Sequence, residues 1–149
     1  MKIRKATKKD MNKICELMQE YGKYENSLDN HVKFDSLKNI KKQEEKHMCL
    51  GTIYILAEEN GIIGGVLNIN VDKRGKENIG VLHTLIVTKE ARGKGIGRNL
   101  VNYAYNYFKK KGCKRVRTFI HLKNKNAFSF WKKQGFETEA GFVATRVLR

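Results

Sequence analysis

The sequence predicts a mixed α/β (α+β) fold, and three observations carry that expectation. The spacing of apolar residues is helical near the N-terminus, strand-like from residue 52 and helical again from residue 99. Two hairpin signals come in succession, so most of the sheet is antiparallel. A strand, helix and strand then follow, which demands at least one crossover between parallel strands. With 149 residues the chain has the length of one ordinary domain, read as residues 1–149.

Each element has its own signal. "MKIRKA" reads as a short first strand. Thr7 and Asp10 stand in capping-box spacing before Met11, Ile14, Leu17, Met18 and Tyr21, which recur at helical intervals. Residues 31–48 show a weaker helical period through Phe34, Leu37 and Ile40, and their polar majority predicts an exposed or mobile element. "TIYILAEENGIIGGVLNINV" holds two apolar runs around the turn "EENG", a hairpin signature. A second hairpin has "DKRGKEN" as its loop and "IGVLHTLIV" as its return strand. In "NLVNYAYNYFKKKG", Leu100, Val101, Ala104 and Phe108 share one helical face and Gly112 fits a C-cap. "CKRVRTFIHL" reads as a strand, "NKNAFSFWKKQG" as a short helix ending at Gly135, and "FVATRVLR" as a last strand.

Composition narrows the partners. Hydrophobic residues are 40% and charged residues 31%, a globular balance. The formal net charge of +16 invites an anionic partner. Lys8, Lys9, Lys13, Lys23, Lys33 and Lys38 are nevertheless scattered as on a solvated surface, which argues against a nucleic-acid footprint. Cys15, Cys49 and Cys113 lie far apart with no Cys-x-x-Cys, so neither a disulfide framework nor a zinc or other metal site is indicated. Reduced thiols, no signal-like apolar core in "MKIRKATKKD" and no apolar run of about 20 residues point to a cytoplasmic protein without a membrane span.

The segment Arg92-Gly93-Lys94-Gly95-Ile96-Gly97-Arg98 sits between a strand and a helix. Glycines let a ligand approach main-chain N–H groups with no Cβ in the way, and a helix start adds unpaired donors and a positive dipole end. A phosphate or pyrophosphate suits such a place. Two phosphate-binding patterns fail on spacing. A P-loop needs Lys-Ser/Thr after its last glycine, but Arg98 and Asn99 follow Gly97. A dinucleotide fingerprint needs a third glycine where Arg98 stands and an acidic residue about 20 positions on, where Lys-Arg-Val-Arg occurs.

A third pattern, Arg/Gln-x-x-Gly-x-Gly/Ala, is met in full by Arg92 to Gly97, and here the chain resembles the GNAT superfamily of acetyl-CoA-dependent N-acetyltransferases. The resemblance covers nearly the whole chain. "LIVTKEARGKGIGRNLVNYA" matches the family's acetyl-CoA segment, and "NKNAFSFWKKQGFE", with Asn124 27 residues after Gly97, matches its later Asn-x-x-Ala…Gly-Phe segment. It implies a mixed, mostly antiparallel sheet of about six or seven strands, with helices on both faces and a V-shaped splay between strands 4 and 5.

For the site, the resemblance implies that the pantetheine arm pairs with main-chain groups of Leu85, Ile86 and Val87. The pyrophosphate would lie on Arg92, Gly93, Lys94, Gly95, Ile96, Gly97 and Arg98. Asn124, Phe130, Trp131 and Lys132 or Lys133 would line the coenzyme from the later helix, with Asn124 equally able to act as a helix cap. The implied reaction is direct attack of a neutral amine on the thioester, through a tetrahedral oxyanion. The N–H of Leu85 is the expected oxyanion donor. No carboxylate follows Glu77 on that strand, and Glu90 falls in the surface turn. His83 takes the base role by position, resembling one of the paired histidines of arylalkylamine N-acetyltransferases, on the same strand face as Leu85 by regular alternation. A histidine that only packs in the cleft wall is the alternative.

Trp131 stands where many relatives carry a tyrosine acid, and an indole cannot protonate a thiolate. The acceptor, a primary amine of a small molecule, peptide or protein, would meet Tyr21, Tyr24, His31 and Phe34. Relatives commonly form homodimers, for which "FETEAGFVATRVLR" is the candidate surface. The rival to catalysis is a non-catalytic acetyl-CoA-binding or sensor module of the same fold.

Overall fold

A five-stranded sheet in the order β1-β2-β3-β4-β5 organises the structure, a computed structural model in which residues 1–138 are described. The described residues fall into two units, residues 1–119 and the part of residues 120–149 that is described. In the first unit β1 spans Lys2–Lys5, α1 Met11–Leu28, α2 Leu37–Cys49, β2 Ile53–Glu59, β3 Ile62–Arg74, β4 Glu77–Val87, α3 Ile96–Lys110 and β5 Arg115–Thr118. The second unit holds α4, Lys125–Lys133.

Local chemistry explains the joints. The Thr7 N–H donates to Asp10 Oδ2 at 2.8 Å, and Arg4 grips the same carboxylate through two nitrogens at 2.9 and 2.8 Å. Arg4 Nε also donates to Glu58 at 2.6 Å, so one guanidinium ties β1, β2 and the start of α1 together. Hydrogen bonding from Arg4 holds the Asp10 carboxyl far below the usual carboxylate range. At the β2–β3 hairpin, Asn60 and Gly61 both have positive φ, 52° and 78°, the conformation a two-residue turn with the native strand twist requires. The second hairpin is tighter than expected: the strands pair out to Arg74 and Glu77, leaving Gly75 and Lys76 as the loop.

The first three pairings of the sheet are antiparallel and the last, β4 with β5, is parallel, as the crossover through α3 demands. Helices cover both faces. Gly65, Leu67 and Ile69 of β3 pair with Val87, Leu85 and Leu82 of β4 on the α3 side. A Cβ on Gly65 would meet Ile96 and Leu100, and one on Gly80 would meet the Phe108 ring at 2.6 Å. On the other face Tyr54, Leu56, Val66 and Ile86 form a core with Ile14 and Leu17 of α1. The second helix is less exposed than its polar composition suggests, since Ile40 and Glu44 point inward from α2 and are buried.

Two expected strands differ. β5 ends at Thr118 instead of continuing through residue 122, because its pairing with β4 stops at the Leu82–Thr118 pair. Five strands stand among the described residues against the six or seven expected, and the expected last strand, residues 142–149, lies outside the described residues, as does most of the candidate dimer segment. In the second unit, Asn124 Oδ1 accepts the Ala127 N–H at 3.0 Å and so caps α4. Trp131 meets Phe130 and Phe136 edge-on, at 5.0 and 5.1 Å.

The missing side chain at Gly80 is what lets Phe108 seat α3 on the sheet. Gly80→Ala is expected to lower stability by about 1–3 kcal/mol through overpacking, read from urea unfolding. Adding Phe108→Leu to it should recover part of the loss.

Candidate functional site

The site begins where β4 parts from β5. The β4–β5 register ends at Leu82, yet β4 runs on to Val87, so residues 83–87 have no strand partner on that side among the described residues. At the same place β4 carries an irregularity against β3: Ile69 faces Leu82 and Leu67 faces Leu85, so His83 and Thr84 together oppose the single residue Asn68. This is the two-against-one count of a β-bulge. The Thr84 N–H donates to the buried Asn68 side chain at 2.6 Å, in place of a ladder carbonyl.

The bulge corrects one expectation. With one extra residue between Leu82 and Leu85, alternation breaks, and His83 and Leu85 do not share a face. Leu85 lies on the α3 side through its pairing with Leu67. His83 lies on the side of α1 and α2, with its Nε2 in a short contact with Asn70 Oδ1.

The Thr88 N–H donates to Gly64 O at 3.0 Å, which sets the direction of the neighbouring main-chain groups. Two-residue alternation from that bond turns Ile86 toward β3 and Leu85 and Val87 toward the parted edge. Of the three main-chain positions expected to meet pantetheine, Leu85 and Val87 therefore face the opening. Val87 O accepts from Arg92 Nε at 3.1 Å, so Arg92 also fastens the glycine segment to the end of β4. At the base of the opening the Thr118 Oγ1 is buried with no hydrogen-bond partner among the described residues.

The glycine segment fits an anion. Gly93 and Gly95 have φ of 75° and 73°, and a Cβ on either would meet nothing within 4 Å. The first main-chain bond of α3 is Asn99 N–H to Gly95 O at 3.0 Å. Among the described residues, the N–H groups of 93–98 donate to no protein acceptor, which leaves consecutive donors around a positive helix end. Arg92, Lys94 and Arg98 are exposed beside them, Ile96 is buried under the helix and Gly97 lies in its first turn. Asn124, Phe130, Trp131 and Lys133 belong to the second unit, where Asn124 is a cap, Trp131 an aromatic core residue and Lys133 exposed.

Sequence reasoning passed over a polar group on the α2 face. Glu44 is buried, accepts a short hydrogen bond from the Tyr54 hydroxyl and lies 3.8 Å from His47 Nδ1. Burial and the Glu44 carboxylate push the Tyr54 phenol well above its ordinary pKa, so it stays a donor. Asn68 and Asn70 were legible as polar interruptions of the apolar run "VLNINV", and Glu44 as an acid four residues after Ile40, on the buried helix face. Of the acceptor-side candidates, Tyr21 donates to Glu25 at 2.6 Å and stacks obliquely near Tyr24, while His31 and Phe34 are exposed.

His83 is exposed yet flanked by protein, and desolvation, the largest influence, holds its pKa below the ordinary value, against the opposing pull of Asp72 and Glu44. Among the described residues no group of His, Cys, Asp and Glu could hold a metal ion, and no helix is long and apolar enough to cross a membrane.

Known proteins share this architecture. The model of the acetyltransferase (GNAT) family matches residues 11–136. The chain is 27% identical to an uncharacterised N-acetyltransferase of Bacillus subtilis, over 96% of this chain and 94% of that one. It is 24% identical to a spermidine N(1)-acetyltransferase of Thermoplasma acidophilum, over 93% and 89%. An uncharacterised N-acetyltransferase of Methanocaldococcus jannaschii is 38% identical over 46% of this chain, a segment spanning 29% of that relative. Among solved structures, a possible acetyltransferase from Clostridium difficile 630 superposes with TM-score 0.83 at 18% identity, covering 99% of this chain and 98% of that one. An aminoglycoside N-acetyltransferase in complex with CoA gives 0.78 at 15% identity, covering 98% and 93%.

The direction of the His83 shift is open to measurement. A histidine with a lowered folded pKa binds its proton later than the unfolded chain as pH falls, so folding loses stability below about pH 6.5. NMR titration of the His83 ring should give a midpoint below 6.5; a midpoint above it means that Asp72 and Glu44 outweigh desolvation.

Proposed function

The chain belongs to the acetyltransferase (GNAT) family and is an acyltransferase, and from that premise we propose that it moves the acetyl group of acetyl-CoA to a primary amine of a small molecule, peptide or protein. The observation that supports this most is the run of N–H groups at 93–98 with no acceptor among the described residues, beside an opened strand edge. Acetyl-CoA supplies the activated acyl group as a thioester.

The chain's own groups divide the work. The N–H donors of Gly93 to Arg98 and the side chains of Arg92, Lys94 and Arg98 hold the pyrophosphate. Main-chain groups of Leu85 and Val87 at the parted edge orient the pantetheine arm, with Ile86 holding the strand to β3 and the orphan Thr118 hydroxyl available beside them. The Leu85 N–H donates to the oxyanion of the tetrahedral intermediate, a fixed dipole that needs no reorganisation. His83 removes the ammonium proton, directly or through water. Its lowered pKa favours this, since a neutral imidazole is the form that accepts a proton at neutral pH. The departing thiolate needs no tyrosine where Trp131 stands, because a thiol pKa near 8.5 makes it a tolerable leaving group with water as the proton source.

Three proteins decide this reading when mixed with acetyl-CoA and a broad amine panel while free thiol is followed. His83→Ala should lower kcat/KM by about 10²-fold or more with coenzyme affinity kept. Gly95→Val, forced into a left-handed conformation that disfavours branched residues, should weaken coenzyme binding by about tenfold. An unchanged rate for His83→Ala assigns that imidazole to the cleft wall. Coenzyme binding by the parent protein without thiol release on any amine makes it a sensor module.

A further inference from the structure

Three polar residues, Asn68, Asn70 and Asp72, occupy every second position of β3, and alternation puts them on the face opposite Leu67 and Ile69, where His83 also lies. Asparagine and aspartate suit strands poorly, so each asks for a purpose. Asn68 has one in the Thr84 N–H. The other two touch each other and the candidate base: Asn70 Nδ2 donates to Asp72 Oδ1, and Asn70 Oδ1 meets His83 Nε2, both in short contacts. The reaction above uses neither of them.

The order of donors and acceptors along this row follows from the groups themselves. An ionised carboxylate only accepts, so the Asn70 amide turns its nitrogen to Asp72 and its oxygen to His83. The amide oxygen only accepts in its turn, so the imidazole nitrogen facing it must carry hydrogen. A neutral ring has a single N–H. With that hydrogen on Nε2, the lone pair falls on Nδ1, which makes no hydrogen bond among the described residues. The opposite tautomer would set a lone pair of Nε2 against the amide oxygen, two acceptors with no proton between them.

We propose that Asn70 and Asp72 are positioning residues that hold neutral His83 in its Nε2–H form, so that Nδ1 is the atom that takes the ammonium proton of the acceptor. This rests on the base role given to His83 above. The step balances simply: the N–H bond of the ammonium breaks, its electron pair stays on the amine as the nucleophilic lone pair, and the proton forms a new bond to Nδ1. Nε2 keeps its own proton throughout, and its bond to the Asn70 oxygen becomes charge-assisted as the ring turns cationic. Asp72 steadies that charge through the amide without taking a proton, the part a third group plays in orienting a base. Asp72 from β3 and Glu44 from α2 favour the charged ring, while His47 from α2 opposes it. The imidazolium then returns its proton from Nδ1 to solvent.

The test reads the ring-nitrogen NMR shifts of His83 in the full chain, which distinguish the two neutral tautomers, with thiol release from acetyl-CoA on an amine panel followed in parallel. The parent protein should hold neutral His83 in the Nε2–H form alone. Asp72→Ala, a change at an exposed residue, should admit a measurable share of the Nδ1–H form and move the His83 midpoint to lower pH, because the imidazolium loses a neighbouring negative charge. Asn70→Leu should release the tautomer in the same way and lower kcat by about tenfold, with KM for acetyl-CoA within about twofold of the parent. A dominant Nδ1–H form in the parent overturns the proposal, as does a tautomer and midpoint that Asp72→Ala leaves unchanged. Full kcat in Asn70→Leu with the tautomer released overturns the positioning role. If the tautomer obeys these expectations and no amine releases thiol from the parent, the acetyl-transfer reading fails and the fixed tautomer stands.

Discussion

The extra residue that β4 carries opposite Asn68 is the constraint on which the rest of the site depends. A regular β4 would pair along its length on both sides, with its donors and acceptors consumed by β3 and β5. The bulge instead bends the strand where β5 stops, and among the described residues 83–87 have one edge without a strand partner. The Asn68 side chain makes this stable by accepting the Thr84 N–H that the ladder has lost. A buried N–H left without such an acceptor costs about 1–3 kcal/mol, so the asparagine is a structural requirement of the opening.

The same irregularity separates the two chemistries. Leu85 is turned so that its N–H points into the opening, while His83 is put on the opposite sheet face with Asn70, Tyr54 and Glu44. Arg92, Lys94, Arg98 and the start of α3 gather positive charge beside the opening, while the buried Glu44 lies on the other face, in a protein whose overall charge is +16. Net charge alone therefore says little about either face; the local arrangement decides.

Much of this was legible in the residues. The helical period of α1 and α3, the Asn60-Gly61 hairpin and the Gly112 cap rest on short-range chemistry that spacing encodes. The glycine segment was legible for the same reason, because backbone permissiveness belongs to the residue type. The bulge was not, since it depends on how β3 and β4 register against each other, and an assumed period of two put His83 on the wrong face. Glu44 escaped because a single acid in the polar majority of α2 looks solvated until Tyr54, ten residues on, meets it from the neighbouring strand. The length of β5 was overestimated for a related reason: "TFIHL" has strand propensity, but among the described residues no partner edge follows Thr118.

The central claim is that the free amides at 93–98 and the open edge of β4 hold a phosphorylated thioester carrier. Backbone amide NMR spectra recorded with and without CoA test it most directly. The account predicts the largest shifts at residues 93–98 and at Leu85 and Val87. Shifts confined to other parts of the chain, or none at saturating CoA, would contradict it.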